Sequence, residues 1–155
     1  MFSKKGVFHG NRAQYLISSV PFDLSSYPCR KIEQGYLSTA PVVRIRRDNN
    51  DYILTYKSKG MMIREEYNLP LTKESYEHLK EKIDGRLITK KRYVIPLKDF
   101  LFIELDIFSG DLAPLMLAEV EFPDEETANH FTPPEWFGED VTFSSSYHNS
   151  TLSKL

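Results

Sequence analysis

Charged side chains recur at every second position within short runs whose remaining residues are apolar, and that spacing leaves such runs one reasonable conformation. Val42-Val43-Arg44-Ile45-Arg46-Arg47 does this with bases; Phe102-Ile103-Glu104-Leu105-Asp106-Ile107 and Leu117-Ala118-Glu119-Val120-Glu121-Phe122 do it with acids. A helix would scatter such pairs around its circumference. Side chains alternate across a strand, so in strands each charged pair shares one face and the apolar residues share the other. Several such strands, some basic and some acidic, would line one cavity that binds a polyanion through cationic groups and metal ions together.

Residues 30–39, 42–48, 51–59, 61–69, 86–95, 100–108 and 114–122 all read as strands, rich in Val, Ile, Tyr, Phe and Thr and bounded by Pro, Gly, Asn or Asp. An eighth is expected at 13–19. Asp48-Asn49-Asn50-Asp51 is a hairpin turn signal, and Lys59-Gly60 is a second one. Two helices interrupt the strands. One follows Thr72 as N-cap, buries Tyr76, Leu79 and Ile83, and stops near Asp84-Gly85; the other starts after Pro123 with Asp124 as cap and ends before Pro133-Pro134. From Trp136 the chain reads as loop. The expected class is α+β, mainly β: an eight-stranded antiparallel closed barrel with helices packed outside.

In such a barrel the apolar partners, Val43, Ile45, Leu54, Tyr56, Ile103, Leu105, Val120 and Phe122, face out under the helices and loops. The charges then face inward: Arg44, Arg46, Lys57, Lys59, Arg64, Lys90 and Arg92 as cations, with Glu66, Glu104, Asp106, Glu119 and Glu121 as anions. Burying them unpartnered would cost several kcal/mol each, so the interior has to be wet or occupied. A polyphosphate with Mg²⁺ or Mn²⁺ satisfies both signs: Arg and Lys hold phosphate oxygens, carboxylates hold the hard cations, and hydrolysis needs positioning, charge neutralisation and an oriented water.

The net charge of −2 and the lack of a long like-charge block exclude a nucleic-acid footprint at the level of totals. No apolar stretch is long enough to span a bilayer and no signal segment is evident. Cys29 is the sole cysteine, which excludes an internal disulfide and suits a reducing, cytoplasmic setting. The oligomeric state stays open, a homodimer included.

Ile32-Glu33-Gln34-Gly35-Tyr36-Leu37, Val43-Arg44-Ile45-Arg46, Leu54-Thr55-Tyr56-Lys57, Arg64-Glu65-Glu66-Tyr67, Lys90-Lys91-Arg92-Tyr93, Glu104-Leu105-Asp106 and Ala118-Glu119-Val120-Glu121-Phe122 occur in this order, followed by Asp140-Val141-Thr142 and Tyr147-His148-Asn149-Ser150. Together they resemble the CYTH domain, or triphosphate tunnel metalloenzyme, family, in its small bacterial single-domain form, over residues 15–155. The resemblance implies an eight-stranded triphosphate tunnel and metal-dependent hydrolysis of inorganic triphosphate or a related triphosphate-containing small molecule. It implies Arg44, Arg46, Lys57 and Arg92, with Lys90, as substrate grips, and His148 as a further phosphate contact; Lys59 and Arg64, inward-facing by alternation, complete the expected substrate-binding set. Glu119 and Glu121 become the metal ligands; Glu104, Asp106 and Glu66 are the acids assigned to catalysis. Adenylate cyclisation of the class IV type, thiamine triphosphate hydrolysis and a non-catalytic polyphosphate- or nucleotide-binding module stand as alternatives, with no base or thiazole pocket legible.

One departure from that family stands out. Its first-strand signature, Glu-x-Glu-x-Lys before an aromatic-Leu-aliphatic run, is replaced by Gly10, Arg12 and Gln14 ahead of Tyr15-Leu16-Ile17. Arg12 puts a positive charge where a metal ligand is expected and should weaken divalent binding. A coding sequence permitted for His9 to Gln14 spells Met-Glu-Ile-Glu-Arg when read one base later, and codons for Lys4 to Val7 accommodate a ribosome-binding sequence upstream. Residues 1–14 are therefore expected to be an atypical leader, disordered or out of frame, with a divergent first strand as the alternative.

Overall fold

The computed structural model describes residues 3–5, 11–59 and 65–154. They form two compact units, one drawn mainly from residues 31–89 and 146–154, the other from 11–30 and 90–145. The strands are β1 (Ser3–Lys5), β2 (Asn11–Leu16), β3 (Cys29–Thr39), β4 (Val42–Asp48), β5 (Asp51–Lys57), β6 (Glu66–Pro70), β7 (Asp84–Pro96), β8 (Phe102–Phe108) and β9 (Met116–Phe122). Three short helices accompany them: α1 (Lys73–Lys80), α2 (Glu125–Asn129) and α3 (Asn149–Leu152).

In the first unit, Asp48 and Asp51 face each other across Asn49-Asn50, and β4 pairs antiparallel with β5 along its whole length. Asn49 takes φ 53°, the left-handed conformation that Asn tolerates better than most residues. α1 begins as expected: the Thr72 hydroxyl accepts from the Ser75 amide while the Ser75 side chain answers at the Thr72 backbone. Its Tyr76 is fully buried, with the ring centroid 5.2 Å from that of Tyr52. Gly35 lets the turn after α1 pack close, since an added Cβ would lie 2.7 Å from an Ile83 methyl. Gly85 has φ +79°, and a Cβ there would collide with the Ser153 carbonyl oxygen, whose own bond comes from the Arg86 amide at 2.6 Å. The α3 turn holding Ser153 lies in a stretch read from sequence as loop; four residues of Asn, Ser, Thr and Leu carry too little periodicity to announce a helix.

In the second unit, β2 pairs with β9 and β9 with β8, both antiparallel. Ile103, Leu105, Ala118, Val120, Phe122 and Tyr15 project to one side and form a buried cluster covered by Phe131, Trp136 and Phe137. Each large side chain withdrawn there contributes about 1.5–3 kcal/mol. α2 starts at Asp124, whose carboxylate accepts from the Thr127 amide. β2 stops at Leu16, short of the expected end at residue 19; the Leu16 amide donates to the Glu139 carbonyl and its carbonyl accepts from the Gly138 amide, while the Ile17 amide still donates to Met116. β8 starts at Phe102 and not at 100, because Asp99 and Phe100 both adopt φ 61°, which no extended strand accommodates.

The closed barrel is corrected. Strand order among the described residues is β1-β6-β5-β4-β3-β7-β8-β9-β2, an open sheet that begins at β1 and ends at β2. Its last eight members in that order are the expected strands; β1 is a ninth, and the closing ladder that a barrel requires is not formed between the edges. Alternation tells which way each side chain faces, and that is the same for an open sheet and a closed one. Of the strand expected at 61–69, β6 (Glu66–Pro70) supplies the second part, and residues 61–64 lie outside the described residues.

Candidate anion-binding site

Within each unit the register puts the expected charged residues on one face, where apolar side chains such as Ile53 opposite Arg46 and Leu117 opposite Asp106 stand among them. In the first, register places Gln34 opposite Arg46, Tyr36 opposite Arg44, Thr55 opposite Arg44 from the other side, and Lys57 opposite Glu66. Residues directly opposed share a face, so these form one polar surface. Gln34, Tyr36 and Thr55 are buried within it. Arg46 Nε donates to Gln34 Oε1 at 2.9 Å, which fixes the amide so that Gln34 Nε2 points elsewhere. That Nε2 and Arg44 Nε are both buried and find no acceptor among the described residues. Thr55 Oγ1 donates to Asn68 Oδ1 at 2.7 Å, and Lys57 Nζ lies 3.4 Å from Glu66 Oε1.

Two buried donors without acceptors beside a second guanidinium are an expensive arrangement, about 1–3 kcal/mol for each donor left unmatched. An anionic oxygen supplies what they lack. Of the other residues expected here, Lys59 is exposed beyond the end of β5, and His148 is exposed ahead of α3 without a capping side-chain bond. Arg64 lies outside the described residues.

The second unit gathers the remaining charges. Arg92 grips Asp106 with two bonds, Nε to Oδ1 at 2.8 Å and Nη2 to Oδ2 at 3.0 Å, and reaches Glu104 Oε2 with Nη1 at 3.3 Å. Lys90 Nζ lies 2.7 Å from Asp106 Oδ2 and over the Phe108 ring, 5.2 Å from its centroid. Arg30 Nη2 stands 3.6 Å from the same Glu104 oxygen. Burial pushes the Asp106 carboxyl upward, but the Lys90 charge and the Arg92 bonds outweigh it, and the group titrates below the ordinary carboxylate range. Burial likewise pulls Arg92 down, and the Asp106 bonds with the Glu104 and Glu119 charges raise it above its ordinary value, so the guanidinium stays charged. On β2, Arg12 Nη1 sits 3.2 Å from Glu119 Oε1.

These contacts bear on Mg²⁺ or Mn²⁺. Among the described residues no three His, Cys, Asp or Glu side chains gather as a metal group. Glu119 is paired with Arg12, Glu104 with Arg30 and Arg92, and Asp106 with Lys90 and Arg92. A carboxylate already holding a guanidinium is a poorer ligand for a hard cation, because the ion has to displace that bond.

Sequence reasoning named Arg44, Arg46, Lys57 and Glu66 and the structure brings them onto one face; the same is true of Lys90, Arg92, Glu104, Asp106, Glu119 and Glu121. It assigned nothing to Gln34 or Arg30. The only local signal for Gln34 is its position two residues before Tyr36 on one strand, which puts both on the polar face. A separate cavity of about 630 Å³, lined by Leu97, Leu101, Phe131 and Pro134 among others, includes none of these charged strand residues. No helix among the described residues is long and apolar enough to cross a membrane.

A family model described as the CYTH domain matches residues 28–155. An inorganic triphosphatase of Nitrosomonas europaea is 40% identical over 144 residues, which cover 90% of this chain and 93% of that protein. An inorganic triphosphatase of Acetivibrio thermocellus is 38% identical over 126 residues, 78% of each chain. Among solved structures, the crystal structure of an inorganic triphosphatase superposes with a TM-score of 0.77 at 34% identity, covering 96% of this chain and 97% of that one.

Proposed function

The chain belongs to the CYTH domain family, and from that premise we propose that it hydrolyses inorganic triphosphate or a related triphosphate. The observation that carries the reading is the pair of buried donors, Arg44 Nε and Gln34 Nε2, beside Arg46 and without acceptors among the described residues. Phosphate oxygens are the acceptors such donors suit: negatively charged, and matched in geometry to the planar fork of arginine. Arg44, Arg46 and Lys57 hold and neutralise the anion on the first unit's face, with Lys59 at its exposed margin. Arg92 is the second unit's phosphate-binding guanidinium, and Lys90 and Asp106 set its position and charge.

Hydrolysis adds water across a terminal phosphoanhydride bond: the water oxygen joins the terminal phosphorus, the bridging P–O bond breaks, and inorganic triphosphate yields phosphate and pyrophosphate. Charge neutralisation and alignment are the main demands of that step. Glu104 and Glu66 are the better candidates for orienting the water, because Asp106 is held ionised by two cations and is a weak base. Mg²⁺ or Mn²⁺ enters this reading as the counter-ion of the triphosphate, part of the substrate. The test is phosphate release from inorganic triphosphate, ATP and thiamine triphosphate. Turnover of inorganic triphosphate supports the reading, and binding with no turnover of any of the three sinks it.

A second reading is a non-catalytic polyphosphate-binding module, and one observation favours it: the acids Glu119, Glu104 and Asp106 are each committed to a basic side chain. Tight triphosphate binding without phosphate release would select it.

A further inference from the structure

Arg12 and Gln14 sit opposite Glu121 and Glu119 on the β2–β9 ladder, and the Arg12 guanidinium reaches diagonally to Glu119, Nη1 to Oε1 at 3.2 Å. Glu104 flanks Glu119 on its other side, directly opposite it on β8. Three carboxylates on one face of adjacent strands, Glu104, Glu119 and Glu121, would ordinarily repel one another and draw in a cation. Here the chain provides its own: Arg12 at Glu119 from one edge, Arg30 and Arg92 at Glu104 from the other. We propose that Arg12 is a tethered counter-ion of Glu119 that excludes a divalent cation from the Glu119/Glu121 face, so that metal reaches this protein only as a complex with its polyphosphate.

Two physical terms work in the same direction. A divalent ion approaching Glu119 meets the Arg12 charge a few ångströms away, and it has to break the charge-assisted bond to use that oxygen. Half of the Arg12 side chain is in solvent (47% exposed), which screens the repulsion without removing the competition for the oxygen. The inference rests on the triphosphate reading only for the identity of the polyphosphate; exclusion of the free ion is measured without any.

The experiment is a titration with Mn²⁺ alone, followed by the loss of the free-ion electron paramagnetic resonance signal, on the wild-type chain and on Arg12→Gln, Arg12→Lys and Arg12→Gln/Glu119→Gln. Arg12→Gln should tighten Mn²⁺ binding about tenfold or more, Arg12→Lys should behave like the wild type, and the double variant should lose the gain. Equal affinity in Arg12→Gln and wild type, or a gain that survives in the double variant, overturns the proposal. Glu119→Gln alone keeps Arg12 in place and serves should the Arg12 variants not fold: unchanged Mn²⁺ affinity supports exclusion, and a weakened one shows that Glu119 was already ligating and overturns it. Absence of triphosphate hydrolysis in every variant would count against the proposed activity and leave this result standing.

Discussion

Lys90 Nζ lies 2.7 Å from Asp106 Oδ2, and the two side chains are 1% and 11% exposed. An ion pair this deep is held in place by what would follow its breakage: losing one partner leaves the other charge buried and uncompensated. Asp106→Asn should lower unfolding free energy by about 3–5 kcal/mol, measured by denaturant titration, with Arg92 losing its anchor in the same step. A change below 1 kcal/mol would mean that water reaches the cluster freely.

The same carboxyl sets a pH dependence. Its pKa is lower folded than its ordinary value of 3.8, so the unfolded chain binds the proton more readily. The stability it contributes is therefore complete above that ordinary value and is lost as pH falls through the folded one. Thermal unfolding between neutral pH and pH 2 should show an acid limb that Asp106→Asn flattens; parallel curves for the two proteins would refute the linkage.

Arg44 should matter through one nitrogen. Replacing it with Ala removes a guanidinium facing the anion and should weaken triphosphate binding about ten- to a hundredfold, the range for a hydrogen bond to a charged group. Arg44→Lys keeps the charge but not the planar fork, and should recover only part of the loss in calorimetric titration. Full recovery would reduce Arg44 to a point charge.

Gly10→Glu/Arg12→Glu/Gln14→Lys returns the first strand to the pattern that the family resemblance calls for. With Mn²⁺ present it should raise phosphate release from inorganic triphosphate about tenfold or more, equal to about 1.4 kcal/mol of barrier. A restored chain that gains affinity for Mn²⁺ yet turns over no faster would place the rate-determining contribution elsewhere.

Gly85 combines φ +79° with a carbonyl oxygen where a Cβ would stand. Gly85→Ala should cost more than about 1 kcal/mol, read as a lower denaturant midpoint with an unchanged slope. A neutral effect would show that the Ser153 turn yields easily.

Sequence carried the strands and helix caps well, because both are written in neighbouring residues. The alternation of Arg44 with Ile45 and of Glu104 with Leu105 states which side each faces, and Thr72 and Asp124 announce the turns that follow them. Gln34 was not legible as a site residue, since its meaning comes from Arg46 standing across the ladder, and α3 is too short to leave a pattern.

Side-chain facing is therefore a local property: a strand repeats every two residues, and charged residues two apart in β4, β8 and β9 share a face whatever the rest of the chain does. Which charge meets which is decided by register between distant segments. Arg12 finds Glu119 across 107 residues of sequence, and Arg92 finds Asp106 across 14, only because their strands pair as they do. Closure is settled in the same way. It depends on whether distant strands exchange backbone hydrogen bonds, and among the described residues β1 and β2 end the strand order with no ladder between them.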